Sequence, residues 1–263
     1  MTDHERRKRP RLLRGEQPIS RLFPNMVTIA GLCCGLSAIR FAMLGRWEMA
    51  VGFIIVAALI DGMDGRLARM LGATSLFGAQ LDSLSDFLCF GVSPALVLYM
   101  WQLQYIRGIG WAAVLYFSVC MALRLARFNT GLFEEKEPWE KQFFVGVPAP
   151  AGGILCLLPL IVSLRFENFT LPPALVAAYA VLVGTLMASR IPTFAGKHIR
   201  IKHDYIPQFM IAATILLVLF IIEPWLFLLG LGVAYLGSIY FSVMRWRRLK
   251  AQSAVSTVPD LHS

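Results

Sequence analysis

Residues 61–86 read DGMDGRLARMLGATSLFGAQLDSLSD, and this stretch places four carboxylates in segments apolar enough to cross a membrane. An ionisable group near the interior of an apolar helix is costly unless it is paired or metal-bound, so its presence indicates function. Asp61 and Asp64 are three residues apart, and Asp82 and Asp86 are four apart, so each pair shares one helix face. Two such helices joined by a short loop can bring all four carboxylates together, where divalent cations would offset their repulsion.

The composition around this stretch is that of a membrane protein. The 263 residues are 57% hydrophobic and 16% charged, with a mean hydropathy of +0.63, whereas soluble domains carry about 25% charged residues. Because a transmembrane helix needs roughly 20 apolar residues, we predict an all-α integral membrane protein, a bundle of about eight transmembrane helices. The predicted spans are residues 25–44, 48–69, 78–102, 108–128, 147–165, 172–189, 205–222 and 225–244.

The net charge of +9 is concentrated at the two ends of the chain and in the loops on one side of the predicted spans. By the positive-inside rule, both termini and the Asp-bearing loop face the cytoplasm, which predicts a multi-pass protein of the cell (inner) membrane. Basic residues at the membrane surface favour contact with anionic membrane lipids. Since this placement accounts for the positive charge, we expect no nucleic-acid partner.

The chain divides into one large domain and two short ends. Residues 1–24 form a basic cytoplasmic arm that ends in an amphipathic juxtamembrane helix lying in the membrane interface. Residues 25–245 form the transmembrane domain, and residues 246–263 form a polar cytoplasmic tail.

The residues around the carboxylates indicate the chemistry of the site. Oxygen ligands without a nearby histidine favour Mg²⁺, Mn²⁺ or Ca²⁺ over zinc. Gly65, Ala68 and Gly78 keep the helices slim, so a phosphorylated ligand can approach the backbone. Arg69, one turn beyond Asp64, offers a planar fork to a phosphate oxygen. Together these features predict a diphosphate site at the membrane surface.

The spacing of these residues resembles a known family. The stretch matches the pattern D-x-x-D-G-x-x-A-R-x(8)-G-x-x-x-D-x-x-x-D of the CDP-alcohol phosphotransferase family at eight fixed positions, which are Asp61, Asp64, Gly65, Ala68, Arg69, Gly78, Asp82 and Asp86. The resemblance implies a CDP-linked donor, two divalent cations (Mg²⁺ or Mn²⁺), displacement of CMP by an alcohol, and a homodimer.

Flanking segments are similar to those of membrane-type phosphatidylserine synthases within this family. These segments are Pro24–Thr28, Arg124–Asn129, Phe144–Ala151 and Ser189–Phe194. They imply CDP-diacylglycerol as donor and L-serine as acceptor. The acceptor is the least specified part of the pattern, and glycerol 3-phosphate, inositol phosphate or choline are the alternatives.

The family resemblance also implies a role for each site residue. Asp61, Asp64 and Asp82 would ligate the metals, and Asp86 would be the catalytic general base that also reaches a metal. The residues expected to bind the CDP group are Asn25, Thr28, Asp61, Gly65, Ala68, Arg69 and Gly78. Asn25 has the alternative role of a helix N-cap.

The carboxylate of serine should meet cations, and three basic residues at cytoplasmic helix ends are candidates. These are Arg127, Arg190 and Lys197, with Asn129 as a candidate for the serine amine. Each of the three cations could instead be an ordinary cytoplasmic charge. Two other classes of function stay open: a membrane cation transporter, because intramembrane carboxylates also mark ion pathways, and a non-catalytic scaffold.

Overall fold

The computed structural model describes residues 23–72, 75–131, 143–166, 169–194 and 205–256. Each of the eight segments predicted to span the membrane is helical. The α-helices are α1 (Phe23–Met43), α2 (Trp47–Met70), α3 (Leu76–Asp86), α4 (Ser93–Trp101), α5 (Arg107–Gly131), α6 (Ala149–Cys156), α7 (Leu158–Arg165), α8 (Pro173–Ala188), α9 (Ile206–Ile222) and α10 (Pro224–Ser256).

Four helical stretches of the described chain are long and apolar enough to cross a membrane, so the protein is an all-α membrane protein, as predicted. They are Phe23–Met43, Leu76–Trp101, Leu103–Thr130 and Pro224–Trp246, and two shorter apolar helices are Pro173–Ala188 and Ile206–Ile222. The count of eight spans therefore stays a prediction. The predicted interfacial helix before Pro24 lies outside the described residues, apart from its last two positions.

Two of the predicted spans are not single regular helices. A π-helical turn, Phe87–Val92, separates α3 from α4 directly after Asp86. Such turns in helices are often found at functional sites. The fifth predicted span is divided between α6 and α7 at Leu157, because Pro159 in the first turn of α7 cannot donate to the preceding helix. At the other end of the chain, α10 continues past the predicted tail boundary to Ser256.

A two-stranded antiparallel sheet, which the sequence did not predict, joins two connections between helices. Strand β1 (Phe143–Val145) pairs with β2 (Pro192–Phe194), with Phe144 opposite Thr193. Gly146 follows β1 with a positive φ of 79°, which favours glycine. The Thr193 hydroxyl donates a 2.8 Å hydrogen bond to the Gly146 carbonyl, so the sheet fixes the chain that enters α6.

The helices pack around one apolar core. Helix α1 lies along α2, α5 lies along α8, and α10 contacts both α7 and β2. Large side chains from several helices are fully buried there, including Ile54, Phe90, Leu98, Phe117 and Met121. No residue of α9 is buried, although the whole helix is described. An apolar surface of this kind suits contact with lipid, because hydrocarbon does not penalise it.

Candidate functional site

Three of the four aspartates form one cluster, on helices α2 and α3, which both pack against α1. Asp61 and Asp64 lie three residues apart near the end of α2, and Asp82 lies on α3. One carboxylate oxygen from each of the three lies within 4.8 Å of the others. Asp64 is the most enclosed, with 5% of its surface exposed. The i,i+3 spacing on α2 and the packing of α2 and α3 against α1 thus produce a set of oxygen atoms at a spacing suitable for a divalent cation.

Asp86 lies one turn further along α3 and interacts electrostatically with Asp61 and Asp82. Its Oδ1 atom is buried and has no hydrogen-bond partner among the described residues. A buried carboxylate oxygen without a partner is costly, so its presence needs an explanation. A cation or a substrate proton at this position would supply the missing interaction.

Helix α1 contributes a hydrogen bond that orients one of the clustered carboxylates. The Thr28 hydroxyl donates a 2.8 Å hydrogen bond to Asp64 Oδ2. The same hydroxyl also lies 3.1 Å from the Pro24 carbonyl, one turn earlier in α1. Thr28 is itself buried, so the contact is shielded from water. Hydrogen bonds of this kind fix the orientation of a ligating carboxylate.

A series of hydrogen bonds fixes the aspartate-bearing helix against α1. Three small polar side chains, spaced four residues apart, each donate to a backbone carbonyl of α1. The pairs are Ser85 to Thr28 at 3.4 Å, Cys89 to Gly31 at 3.3 Å, and Ser93 to Gly35 at 2.8 Å. Glycines at two of the three acceptor positions let the helices approach closely. Helix α1 therefore contacts both sides of the site: it bonds to Asp64 through Thr28, and it bonds to the helix that carries Asp86. These contacts set the position of Asp64 relative to Asp86.

An open cavity of about 300 Å³ lies next to the cluster. One wall is formed by α2 and α3, with the four carboxylates and the arginines at positions 66 and 69. The opposite wall is formed by α5 and the start of α6. The lining residues are Asp61, Gly62, Asp64, Gly65, Arg66, Arg69, Asp82, Asp86, Arg124, Leu125, Phe128, Pro148, Ala149 and Pro150. Carboxylates and arginines around one cavity can hold cations and a phosphorylated ligand together.

The residues predicted to bind CDP lie in and next to this cavity. Gly65 and Arg69 line it, and a side chain at Gly65 would meet no atom within 4 Å. Gly78 is enclosed instead, because a Cβ there would lie 2.9 Å from Asn25 Oδ1. The Asn25 side chain thus reaches the start of α3, where Ser75 caps the helix through a 3.0 Å bond from the Gly78 amide. The side chain of Ala68 lies outside the described residues.

The residues predicted to bind serine do not all lie at the cavity. Arg127 donates hydrogen bonds of 2.7 and 3.3 Å to the carbonyls of Ala188 and Ser189, at the end of α8. Asn129 exchanges hydrogen bonds with Ser83, next to Asp82. Arg190 is exposed and does not line the cavity, and Lys197 lies outside the described residues. Of the three that the structure describes, Asn129 is the one with a hydrogen bond to the aspartate-bearing helix.

Arg124 on α5 lines the cavity but was not among the site residues predicted from the sequence. Pro148 and Pro150, which the sequence placed only within the flanking segment Phe144–Ala151, also line the cavity. The available signal was the spacing of Arg124 and Arg127, which are three residues apart on α5. That spacing puts both on one side of the helix, but it does not say which of them faces the carboxylates.

Comparisons with known proteins agree with this arrangement. A family model described as CDP-alcohol phosphatidyltransferase matches residues 21–190, and one described as CDP-alcohol phosphatidyltransferase 2 matches residues 205–239. Similar proteins carry the name CDP-diacylglycerol–serine O-phosphatidyltransferase. That of Mycobacterium leprae is 36% identical over 88% of this chain and 77% of its own length. That of Mycobacterium tuberculosis is 34% identical, over 89% and 83%. That of Helicobacter pylori is 32% identical, over 86% and 91%.

Proposed function

The chain belongs to the CDP-alcohol phosphatidyltransferase family, and we propose that it transfers the phosphatidyl group of CDP-diacylglycerol to the hydroxyl of L-serine, with release of CMP. It is a membrane-bound transferase. The observation that carries the proposal is the cluster of Asp61, Asp64 and Asp82 at the edge of a cavity that also holds arginines. The names of similar proteins from several bacteria support serine as the acceptor.

The residues present fit two divalent cations, Mg²⁺ or Mn²⁺. The donors are carboxylate oxygens, which both ions prefer, and the buried Asp86 Oδ1 atom has no other partner in the described chain. Asp61, Asp64 and Asp82 would hold the ions, and Asp86 would reach one of them. When bound, the ions would neutralise charge on the diphosphate and on the departing CMP.

The reaction replaces one phosphorus–oxygen bond with another. The serine oxygen attacks the phosphorus that carries the lipid, and the bond from that phosphorus to the CMP oxygen breaks. Asp86 accepts the proton that the serine hydroxyl loses, so it is the general base. CMP leaves with the bonding electron pair as a phosphate monoester.

Other residues of the chain bind and orient the donor. Arg69 binds a diphosphate oxygen through its guanidinium fork, because it lines the cavity one turn beyond Asp64. Gly65 leaves room for the cytidine, and Gly78 lets Asn25 lie close to the start of α3. Ala68 is assigned to the same part of the donor site from its place in the sequence pattern. Thr28 holds Asp64 in the orientation that the ions require.

We also propose how the protein lies in the membrane. Eight helical segments would span it, with both termini and the cavity on the cytoplasmic side of the inner membrane, because the basic residues concentrate there. An interfacial helix would precede α1 within residues 1–24, and residues 25–245 would form the catalytic domain, with residues 246–263 as the tail. The protein would act as a homodimer, as the family resemblance implies.

Release of CMP tests this function directly. Purified protein receives CDP-diacylglycerol and Mn²⁺ or Mg²⁺, with L-serine, glycerol 3-phosphate, inositol phosphate or choline in separate reactions. We expect metal-dependent release with L-serine alone. Release with a different alcohol would replace the proposed acceptor while keeping the metal site. A folded, metal-binding protein that releases no CMP with any of the four would contradict the transferase proposal.

A further inference from the structure

Arg124 is the one arginine on the wall of the cavity that faces the aspartates, within the part of the chain that the structure describes. Its Nε atom donates a hydrogen bond to the Val147 carbonyl, just before α6. The Val147 carbonyl has a fixed position, because the neighbouring Gly146 accepts a hydrogen bond from Thr193 of β2. The guanidinium group of Arg124 therefore has a defined position, which reduces the entropy lost when it binds a ligand.

The terminal nitrogens of Arg124 are available to a ligand. Among the described residues, neither atom has a hydrogen-bond partner, and the side chain forms no salt bridge. The guanidinium nevertheless interacts electrostatically with Asp86 and Asp61, and also with Tyr235 of α10. Because the Arg124 guanidinium lies near these carboxylates without forming a salt bridge, a small polar molecule can fit between the guanidinium and the carboxylates.

The size of the acceptor decides which cation can bind it. In serine, two carbon atoms separate the hydroxyl oxygen from the carboxylate carbon. When the hydroxyl lies against Asp86, the carboxylate can therefore reach only a cation near that residue. Arg127 is bound to the end of α8, and Arg190 lies outside the cavity lining. Arg66 and Arg69 lie on α2, on the side where the donor diphosphate is expected.

We propose that Arg124 binds the carboxylate of the acceptor amino acid and so selects L-serine over alcohols that lack this group. The inference rests on the proposed function, because it requires an amino-acid acceptor at Asp86. A guanidinium with two free terminal nitrogens matches a carboxylate geometrically. The same cation gives no such advantage to choline, which carries no negative charge.

The test compares L-serine with L-serinamide, which keeps the hydroxyl and replaces the carboxylate with a neutral amide. For each acceptor, kcat/KM is obtained from CMP release in the intact protein and in the variant Arg124→Gln. The unmodified protein should prefer L-serine by about 10- to 100-fold, the range expected for hydrogen bonds to a charged group. Arg124→Gln should lose most of this preference through a higher KM for L-serine. The readout is the ratio of the two kcat/KM values, because any effect of the lost charge on Asp86 applies to both acceptors and cancels in the ratio.

The reaction with L-serinamide also reports whether Arg124→Gln is folded and binds metal and donor. Arg124→Lys, which keeps the charge, should restore part of the preference. Arg127→Gln is the matched comparison, because it removes an arginine one turn away, and it should keep the preference for L-serine. Retention of the full preference by Arg124→Gln, or its loss in Arg127→Gln alone, would overturn the inference. Failure of the unmodified protein to use L-serine would instead contradict the proposed function.

Discussion

The hydroxyl of Thr28 on α1 donates a 2.8 Å hydrogen bond to Asp64 Oδ2 on α2, and both side chains are buried. This contact connects the first helix of the protein to the carboxylate cluster. Since Asp64 is the least exposed of the three clustered aspartates, its orientation depends on protein contacts more than on water. Thr28 was expected to contact CDP, which stays a prediction, and the structure adds that its hydroxyl orients Asp64.

Thr28→Val replaces the hydroxyl with a methyl group of similar size and should weaken the metal site. We expect the Mn²⁺ concentration required for half-maximal CMP release to rise about 10- to 100-fold, as for other groups that orient metal ligands. Thr28→Ser should retain most of the affinity. Thr214→Val is the control, because its exposed hydroxyl bonds only to the Met210 carbonyl within α9. An unchanged Mn²⁺ requirement in Thr28→Val would show that the hydrogen bond does not matter.

Asp86→Asn should remove the general base while preserving the shape of the site. We expect CMP release with L-serine to fall by at least about 100-fold, because general base catalysis contributes that much or more. Binding of CDP-diacylglycerol, measured by equilibrium binding in detergent, should persist. Asp82→Asn provides a contrast, because it removes the charge of a clustered carboxylate and should mainly raise the Mn²⁺ requirement. Normal turnover in Asp86→Asn would exclude the proposed role.

Removal of divalent metal should affect stability as well as activity. Without a cation, the carboxylates of Asp61, Asp64 and Asp82 repel one another at short range. EDTA should therefore abolish CMP release and lower the midpoint of thermal unfolding in detergent. Added Mn²⁺ at about 100 times its Kd should stabilise the protein by about 2.7 kcal/mol for each site that it fills. The triple variant in which all three aspartates are asparagine should show no such response, and a full response there would locate the metal elsewhere.

The sequence was sufficient to predict the carboxylate cluster because its determinants are local. Spacings of three and four residues place Asp61 beside Asp64 and Asp82 beside Asp86 on any helix. In the structure both helices pack against α1, which brings the two pairs to the same cavity. The same local rules located all eight helical segments, since each is a nearly continuous apolar run between Pro, Gly or charged residues.

The opposite wall of the cavity could not be predicted, because it depends on contacts between distant residues. The sheet pairs Phe144 with Thr193, and short strands of this kind leave little pattern in a sequence. Arg124 and Arg127 look equivalent on α5, yet one meets the Val147 carbonyl and the other meets Ala188. Which partner each arginine finds is decided by how α5, α6 and α8 pack together.

The closest contact between α1 and the π turn, at Gly35, gives a prediction about stability. A Cβ at Gly35 would lie 2.6 Å from Cys89 Sγ and 3.1 Å from Cys89 Cα. The sulfur could rotate away, but the backbone atom could not, so Gly35→Ala would push the two helices apart. The Ser93 bond to the Gly35 carbonyl, now 2.8 Å long, would be lost or lengthened.

Gly35→Ala should therefore destabilise the protein by about 1–3 kcal/mol, the usual cost of inserting a methyl group into a packed interior. The measurement is thermal unfolding in detergent, together with CMP release at saturating Mn²⁺. Gly52→Ala is the matched control, because it lies within α2 and its Cβ would meet no atom within 4 Å. It should be neutral or slightly stabilising, since alanine favours helix more than glycine. Adding Cys89→Ala to Gly35→Ala should recover only part of the loss, because the contact with the backbone remains. Equal stability of the two glycine variants would contradict the close helix packing described for this site.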